Sequence, residues 1–109
     1  MEQNIFQVIW NIQPQPQVQC ATSYQLAALK YVAEKLGLLD AAGKMAALAP
    51  ASSMTLDRVI DPKVVAAIPD QEEHSDISLN KQLRYLTFAA TRFGLYDAAD
   101  ILRLEGVRA

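Results

Sequence analysis

The sequence contains two copies of one pattern, one in each half of the chain, and this repeat limits the folds that the chain can adopt. When Ser23–Leu48 is aligned with Asn80–Glu105, nine of the 26 positions are identical. Both copies read Gln-Leu-x-x-Leu and then Gly-Leu-x-Asp-Ala-Ala. A repeated sequence predicts a repeated supersecondary unit, and two copies are too few for a solenoid. We therefore expect two similar units packed together.

Each copy has the periodicity of a helix, a tight turn and a second helix. Apolar residues recur at spacings of three and four and form one stripe per copy. The stripes are Leu26, Leu29, Ala33 and Leu36, and then Leu83, Leu86, Ala90 and Phe93. Gly37 and Gly94 stand where a helix ends in a left-handed residue. Asp40 and Asp97 stand where an N-cap oxygen accepts from the next helix.

This pattern predicts an all-α fold, with two similar helical hairpins forming a small four-helix core of approximate two-fold pseudo-symmetry. Thr22 and Gln25 have the spacing of a capping box, and Asp61-Pro62 predicts the start of a short helix over 62–68. The long helices are predicted near 23–36, 41–48, 79–93 and 98–105. We divide one domain, 1–109, into an arm (1–21), a first hairpin (22–49), a linker with an acidic loop (50–77) and a second hairpin (78–109).

The N-terminal arm alternates in a way that favours a strand. Phe6, Val8, Trp10 and Ile12 would share one face of an extended chain, and their β-branched and aromatic character fits a strand. A helix would instead align Ile5, Val8, Ile9 and Ile12. The prolines of residues 13–16 force an extended or turning segment. The sequence favours an extended arm or a short β-hairpin that returns near Val18, with the helix as the alternative.

The composition excludes several classes of protein. Apolar residues make up 51% and charged residues 20%, with a net charge of −2, as in ordinary globular domains. No stretch approaches 18 consecutive apolar residues, and the N-terminus lacks the basic region of a secretory signal. Ten basic residues against twelve acidic ones argue against a polyanion binder. Cys20 is the only cysteine, and a lone reduced thiol fits a cytoplasmic protein. A cytoplasmic or virion location is expected.

The residues with catalytic or metal-binding chemistry do not form a recognisable constellation. His74 lies beside Glu72, Glu73 and Asp76, but one histidine with carboxylates in no calcium-loop pattern indicates a solvated loop. Cys20 precedes a helix and could be a nucleophile, yet a small buried residue at a junction is the simpler interpretation. Asp40 and Asp97 recur in the repeat and could form an acid–base pair, but their position before Ala-Ala is better interpreted as that of N-caps. We expect no enzyme activity, no cofactor and no metal.

Two features raise the question of nucleic-acid binding. Residues 32–45 resemble the helix–turn–helix units of DNA-binding proteins, but the second helix of the pair offers only Lys44 to DNA. In the second copy, Arg103 is opposed by Asp100. The third long helix carries a basic patch of Lys81, Arg84 and Arg92, which the acidic residues 70–76 directly precede. We interpret this patch as a solvated or internally neutralised face.

The arm carries the functional hypothesis. An uncharged aromatic segment on a helical body suits attachment to a protein, either at the edge of a partner's sheet or on a second copy of the chain. We predict that Phe6, Val8, Trp10 and Ile12 bind a protein partner or mediate homo-oligomerisation. The chain is then a non-enzymatic interaction or assembly protein, and its size is typical of phage- or plasmid-encoded structural or accessory factors. The alternative is a helix–turn–helix DNA-binding regulator.

Overall fold

The computed structural model describes residues 5–48, 59–69 and 76–108 of the chain, and all regular secondary structure in these ranges is helical. The prediction of a mostly helical protein is confirmed for this part of the chain, whereas the predicted extended arm or short β-hairpin is not found in it. The helices in order are α1 (Ile5–Trp10), α2 (Thr22–Lys35), α3 (Leu39–Leu48), α4 (Pro62–Ala66), α5 (Leu79–Arg92) and α6 (Tyr96–Arg108). None of the described helices is long and apolar enough to cross a membrane.

The turns after α2 and α5 have the predicted glycine conformation. Gly37 has φ of 77° and Gly94 has φ of 75°, values that L-residues other than glycine adopt at a cost. In both turns, the N–H of the residue after the glycine donates to a carbonyl five residues earlier at 2.9 Å, from Leu38 to Ala33 and from Leu95 to Ala90. This bond is characteristic of the Schellman motif, which satisfies carbonyls at the end of a helix.

Both apolar stripes are buried. Leu29, Leu36 and Leu86 have no exposed area, and Phe93 is 1% exposed. Helix α2 packs along α3 and α5 packs along α6, while α2 contacts both α5 and α6 and α3 contacts α5. The short helix α4 begins as predicted, because the Asp61 carboxylate accepts from the Lys63 N–H at 2.9 Å and proline takes the first helical position.

Three predicted helix starts are wrong in detail. Helices α3 and α6 begin at Leu39 and Tyr96, so Asp40 and Asp97 are second residues of their helices and not N-caps. Likewise, α2 has Ala21 at its N-cap position and no side-chain cap, so the Thr22–Gln25 capping box does not form. In both helices where an aspartate cap was expected, a glutamine side chain supplies the acceptor instead: Gln82 for α3 and Gln25 for α6.

The predicted extended N-terminal arm is wrong for residues 5–10, which form α1. The helix and the turn that follows it place Ile5, Val8, Ile9 and Ile12 against the core, and all four are buried. This is the arrangement that a helix, the alternative, required. A single strand would leave its backbone polar groups without partners, whereas a helix satisfies them internally. Helix α1 packs against α5.

The predicted β-hairpin is replaced by an extended segment that crosses the turn between α5 and α6. The Gln15 N–H donates to the Arg92 carbonyl at 2.8 Å, and the Val18 N–H donates to the Gly94 carbonyl at 2.9 Å. The last carbonyls of a helix lack partners within the helix, so they are available to an extended chain. A Cβ atom on Gly94 would lie 2.1 Å from the Pro16 carbonyl oxygen, which shows how closely the segment approaches the turn.

Candidate protein-interaction surface

Three aromatic rings from α1 and α5 form one cluster, which we call the aromatic surface. It consists of Phe6, Trp10 and Phe88. The rings of Phe6 and Trp10 are stacked with centroids 6.3 Å apart, and the Phe88 ring lies 5.2 Å from Phe6 and 6.2 Å from Trp10. These separations lie within the range in which aromatic pairs attract one another.

Arg92 holds the C-terminal end of α1 against α5. Its guanidinium donates to the Trp10 carbonyl at 2.6 Å and to the Ile12 carbonyl at 3.0 Å. The same group lies 5.0 Å from the centroid of the Trp10 ring. A cation is favoured at the negative end of a helix and over the face of an indole. Arg92 therefore fixes both the backbone end of α1 and the orientation of Trp10.

The aromatic surface remains open to solvent although its rings contact one another. Phe6 is 46% exposed and Trp10 is 53% exposed. Val8 and Ile12, by contrast, are 5% and 6% exposed. The four residues predicted to share one face are therefore split between two, because successive helical residues turn by about 100° and not by the 180° of a strand. Val8 and Ile12 secure α1 to the body of the protein.

Phe88 and Arg92 belong to this surface, although no pattern in the sequence predicts it. Arg92 was predicted to belong to a basic patch, and Phe88 aligns with Tyr31 when the two copies of the repeat are superposed. A signal was present in the spacing: Arg84, Phe88 and Arg92 follow one another at intervals of four and so lie on one face of α5. That spacing could not reveal that α1 would lie beside this face.

Two buried glutamines make equivalent sets of hydrogen bonds in the two copies of the repeat. Gln25 and Gln82 are each 1% exposed. The Gln82 side-chain oxygen accepts from the Ala41 N–H at 3.1 Å, and its nitrogen donates to Asp40 and to the Ile77 carbonyl at 3.2 and 2.8 Å.

Gln25 makes the same arrangement at the equivalent position of the first copy. Its oxygen accepts from the Ala98 N–H at 3.2 Å, and its nitrogen donates to Asp97 and to the Cys20 carbonyl at 3.3 and 3.1 Å. The first N–H groups of a helix have no partner within the helix. Gln82, in the second copy, caps α3 of the first copy, and Gln25, in the first copy, caps α6 of the second. The sequence signal was a glutamine at a core-facing position in both copies.

Cys20 has the opposite electrostatics to an activated nucleophile. Burial raises the pKa of its thiol, and the negative charge of Asp97 raises this pKa further. A thiolate is therefore disfavoured, although the residue lies just before α2, where a helix N-terminus would favour one. The thiol is half-buried and free.

The remaining candidates from the sequence lie apart from the aromatic surface. Lys44 pairs with Glu105 at 3.3 Å, and Arg103 pairs with Asp100 at 2.6 Å. His74, Glu72 and Glu73 lie outside the described residues. Within the ranges that the structure does describe, no group of three metal-ligating side chains converges.

A groove of about 470 Å³ separates the end of α1 from α4. Its lining includes Val8, Ile12, Val64 and Ile68, with Lys63 as its charged residue. It lies on the buried side of α1, away from the exposed rings.

Comparison of the chain with protein-family models, characterised proteins and solved structures finds no match.

Proposed function

We propose that this chain is a non-enzymatic protein-interaction or assembly protein and that the aromatic surface is its binding site. The observation that carries the proposal is the exposure of two stacked aromatic side chains, Phe6 and Trp10, on a short helix that is firmly attached to the body. Tryptophan and arginine are among the residues that dominate binding energy at protein interfaces. The enrichment of aromatic residues there reflects the large apolar area that they remove from water.

The rigidity of the surface supports the same function. Phe88 supports the rings of Phe6 and Trp10, and Arg92 fixes Trp10 through its carbonyl and its ring. Side chains that are held in place before binding lose less conformational entropy when a partner arrives. Val8 and Ile12, which the sequence suggested as direct contacts, contribute by anchoring α1. The partner is either another protein or a second copy of the chain.

We also propose that α2, α3, α5 and α6 form a four-helix core of two related hairpins. The reciprocal bonds of Gln25 and Gln82 support this arrangement, because each glutamine of one hairpin caps a helix of the other. Such a core would be a rigid platform on which α1 is carried. The helix–turn–helix DNA-binding regulator is the weaker candidate, since the cations expected on its recognition helices, Lys44 and Arg103, are both paired with acids.

The proposal can be tested by placing a photoreactive phenylalanine analogue at position 10 of the full chain. The matched control is the same analogue at Tyr31, an aromatic residue on α2 that is 50% exposed. We expect irradiation in the producing cells to yield one covalent adduct of defined stoichiometry from position 10 and none from position 31. That partner, once purified, should bind the Trp10→Ala variant more weakly than the wild type.

Light scattering and thermal unfolding of Trp10→Ala complete the test. If the site binds a partner or a second copy, the variant keeps most of its helical signal and loses the association. No adduct at position 10, or equal adducts at both positions, would overturn the proposal. So would a Trp10→Ala variant with a lower unfolding midpoint and unchanged binding, since Trp10 would then act only within its own chain.

A further inference from the structure

The aromatic surface lies in a region of positive charge on a chain whose net charge is negative. Neither α1 nor α5 contains an aspartate or a glutamate. Helix α5 carries three cations, Lys81, Arg84 and Arg92, whereas the whole chain has a net charge of −2. The two helices that form the aromatic surface are thus free of acidic side chains.

The cations share one face of α5 with Phe88. Lys81, Arg84, Phe88 and Arg92 occupy positions i, i+3, i+7 and i+11, which fall on one side of a helix. Adjacent residues in this series are about one turn apart, or roughly 5 Å along the axis. Arg84 is therefore one turn from Phe88, the ring that touches both Phe6 and Trp10. The positive charge adjoins the exposed aromatic rings.

Lys81 and Arg84 are available to a ligand. Both residues are exposed, and neither forms an ion pair with any residue in the described ranges. Three cations on other helices are paired with acids: Lys30 with Glu34 at 3.8 Å, Lys44 with Glu105 and Arg103 with Asp100. Arg92 is occupied with α1. Within the described ranges, Lys81 and Arg84 therefore have no acidic partner, and they lie beside an exposed apolar site.

We infer that the partner of the aromatic surface is an acidic amphipathic segment of another protein, an inference that rests on the proposed function. Its apolar side chains would cover Phe6 and Trp10, while its carboxylates would meet Lys81 and Arg84. Complementary charge around an apolar centre is the usual arrangement of a specific interface. A symmetric contact between two copies of the chain through this face would bring like cations together.

The charge of the face also distinguishes a protein segment from a nucleic acid. Nucleic-acid binding depends on several cations that neutralise phosphates, and α5 offers two that are not already engaged. A peptide with a few carboxylates can pair with these two cations, and its apolar side chains can pack on the rings of the aromatic surface. We therefore expect an oligonucleotide to bind this face more weakly than an acidic peptide, and the experiment compares the two.

Trp10 is the only tryptophan of the chain and lies in the proposed site, so its fluorescence reports binding directly. The probe is a synthetic helical peptide of five turns with leucine and phenylalanine on one face and glutamate on the other. The comparison probes are the same peptide with lysine for each glutamate, a glutamate peptide without apolar residues, and a short single-stranded DNA. We expect a blue shift and saturable binding with the first peptide only.

Two double variants separate the site from general charge effects. Lys81→Gln/Arg84→Gln removes the two cations of the face, and Lys30→Gln/Arg103→Gln removes the same residue types elsewhere. All four are exposed, and exposed ion pairs contribute little to stability, so both variants should fold. We expect the first variant to bind the acidic peptide about tenfold more weakly than the wild type, as for two lost charge contacts. The second should bind it within about twofold of the wild type.

The outcomes distinguish the inference from the proposed function. Equal binding of the acidic and lysine peptides, or equal loss in both double variants, would overturn the inference while leaving a crosslinked partner at position 10 as evidence for the interaction role. Tighter binding of the oligonucleotide than of the acidic peptide would also overturn it. Absence of both the adduct and any peptide binding would overturn the inference and the proposed function together.

Discussion

One constant shift relates helix boundaries in residues 5–48 to helix boundaries in the described part of residues 62–105, yet the two regions differ where they meet solvent. The shift that aligns Ser23 with Asn80 also carries both ends of α2 onto the ends of α5, the start of α3 onto the start of α6, and the start of α1 onto the start of α4. The repeat found in the sequence covered only the last two helices of each half. The structure adds a short first helix to both.

The positions that join the halves are the same in both copies. Gln25 and Gln82, with the aspartates and helix N–H groups that they contact, form matching hydrogen bonds, and both turn glycines have positive φ. The first helices differ: Phe6 and Trp10 of α1 correspond to Lys63 and Ala67 near α4. Residues that hold the fold together are thus the same in the two copies, while the stacked exposed pair Phe6 and Trp10 occurs in one. The unique residues are the better guide to function.

The largest effects should come from the two buried glutamines. Gln25→Ala and Gln82→Ala each leave a buried helix N–H without its acceptor and open a small cavity, so each should lower the free energy of unfolding by about 2–4 kcal/mol. Urea titration followed by circular dichroism measures this. Gln17→Ala, an exposed control, should change the value by less than about 0.5 kcal/mol. A large loss in one variant and none in the other would break the equivalence of the two halves.

Alanine should destabilise both glycine turns, and at position 94 it should also collide with the N-terminal segment. Gly37→Ala adopts an unfavourable positive φ, which costs about 1 kcal/mol. Gly94→Ala has the same strain and also a Cβ atom 2.1 Å from the Pro16 carbonyl oxygen, so we expect about 3 kcal/mol. Gly43→Ala is the control, because its Cβ would meet nothing within 4 Å, and alanine there should stabilise α3 by up to about 1 kcal/mol. A loss of only about 1 kcal/mol at position 94, the cost of the positive φ alone, would show that residues 13–18 yield without cost.

The smallest effect concerns the thiol of Cys20. Because burial and Asp97 raise the pKa of this thiol, less thiolate exists at mildly alkaline pH than in an unfolded chain, and alkylation by iodoacetamide should be slower in the folded protein. Asp97→Asn removes one cause, so the pKa should fall and alkylation should become faster. Asp40→Asn, the equivalent change in the other copy, should leave the rate unaltered. Faster alkylation of Cys20 in both variants would indicate that the fold has loosened and not that a charge effect on the thiol has been removed.

The local features of the repeat were predictable from sequence because their causes are local. The apolar spacing of α2 and α5 defines their buried faces, and a glycine between two helical patterns indicates a left-handed turn. The start of α4 at Asp61-Pro62 is equally local. The aspartates at positions 40 and 97 were misjudged because the true caps come from Gln82 and Gln25, each in the opposite copy of the repeat. No short-range pattern distinguishes a near cap from a distant one.

The sequence by itself determined the helical class, the two turns and the buried stripes, since periodicity and glycine conformation act over a few residues. Tertiary structure decided the form of the N-terminal segment. Residues 5–12 satisfy both a strand and a helix pattern, and packing of Ile5, Val8, Ile9 and Ile12 against the body favours the helix. That choice turned Phe6 and Trp10 outward beside Phe88 and the cations of α5. A surface built from segments in opposite halves of the chain depends on contacts that neither segment's own sequence encodes.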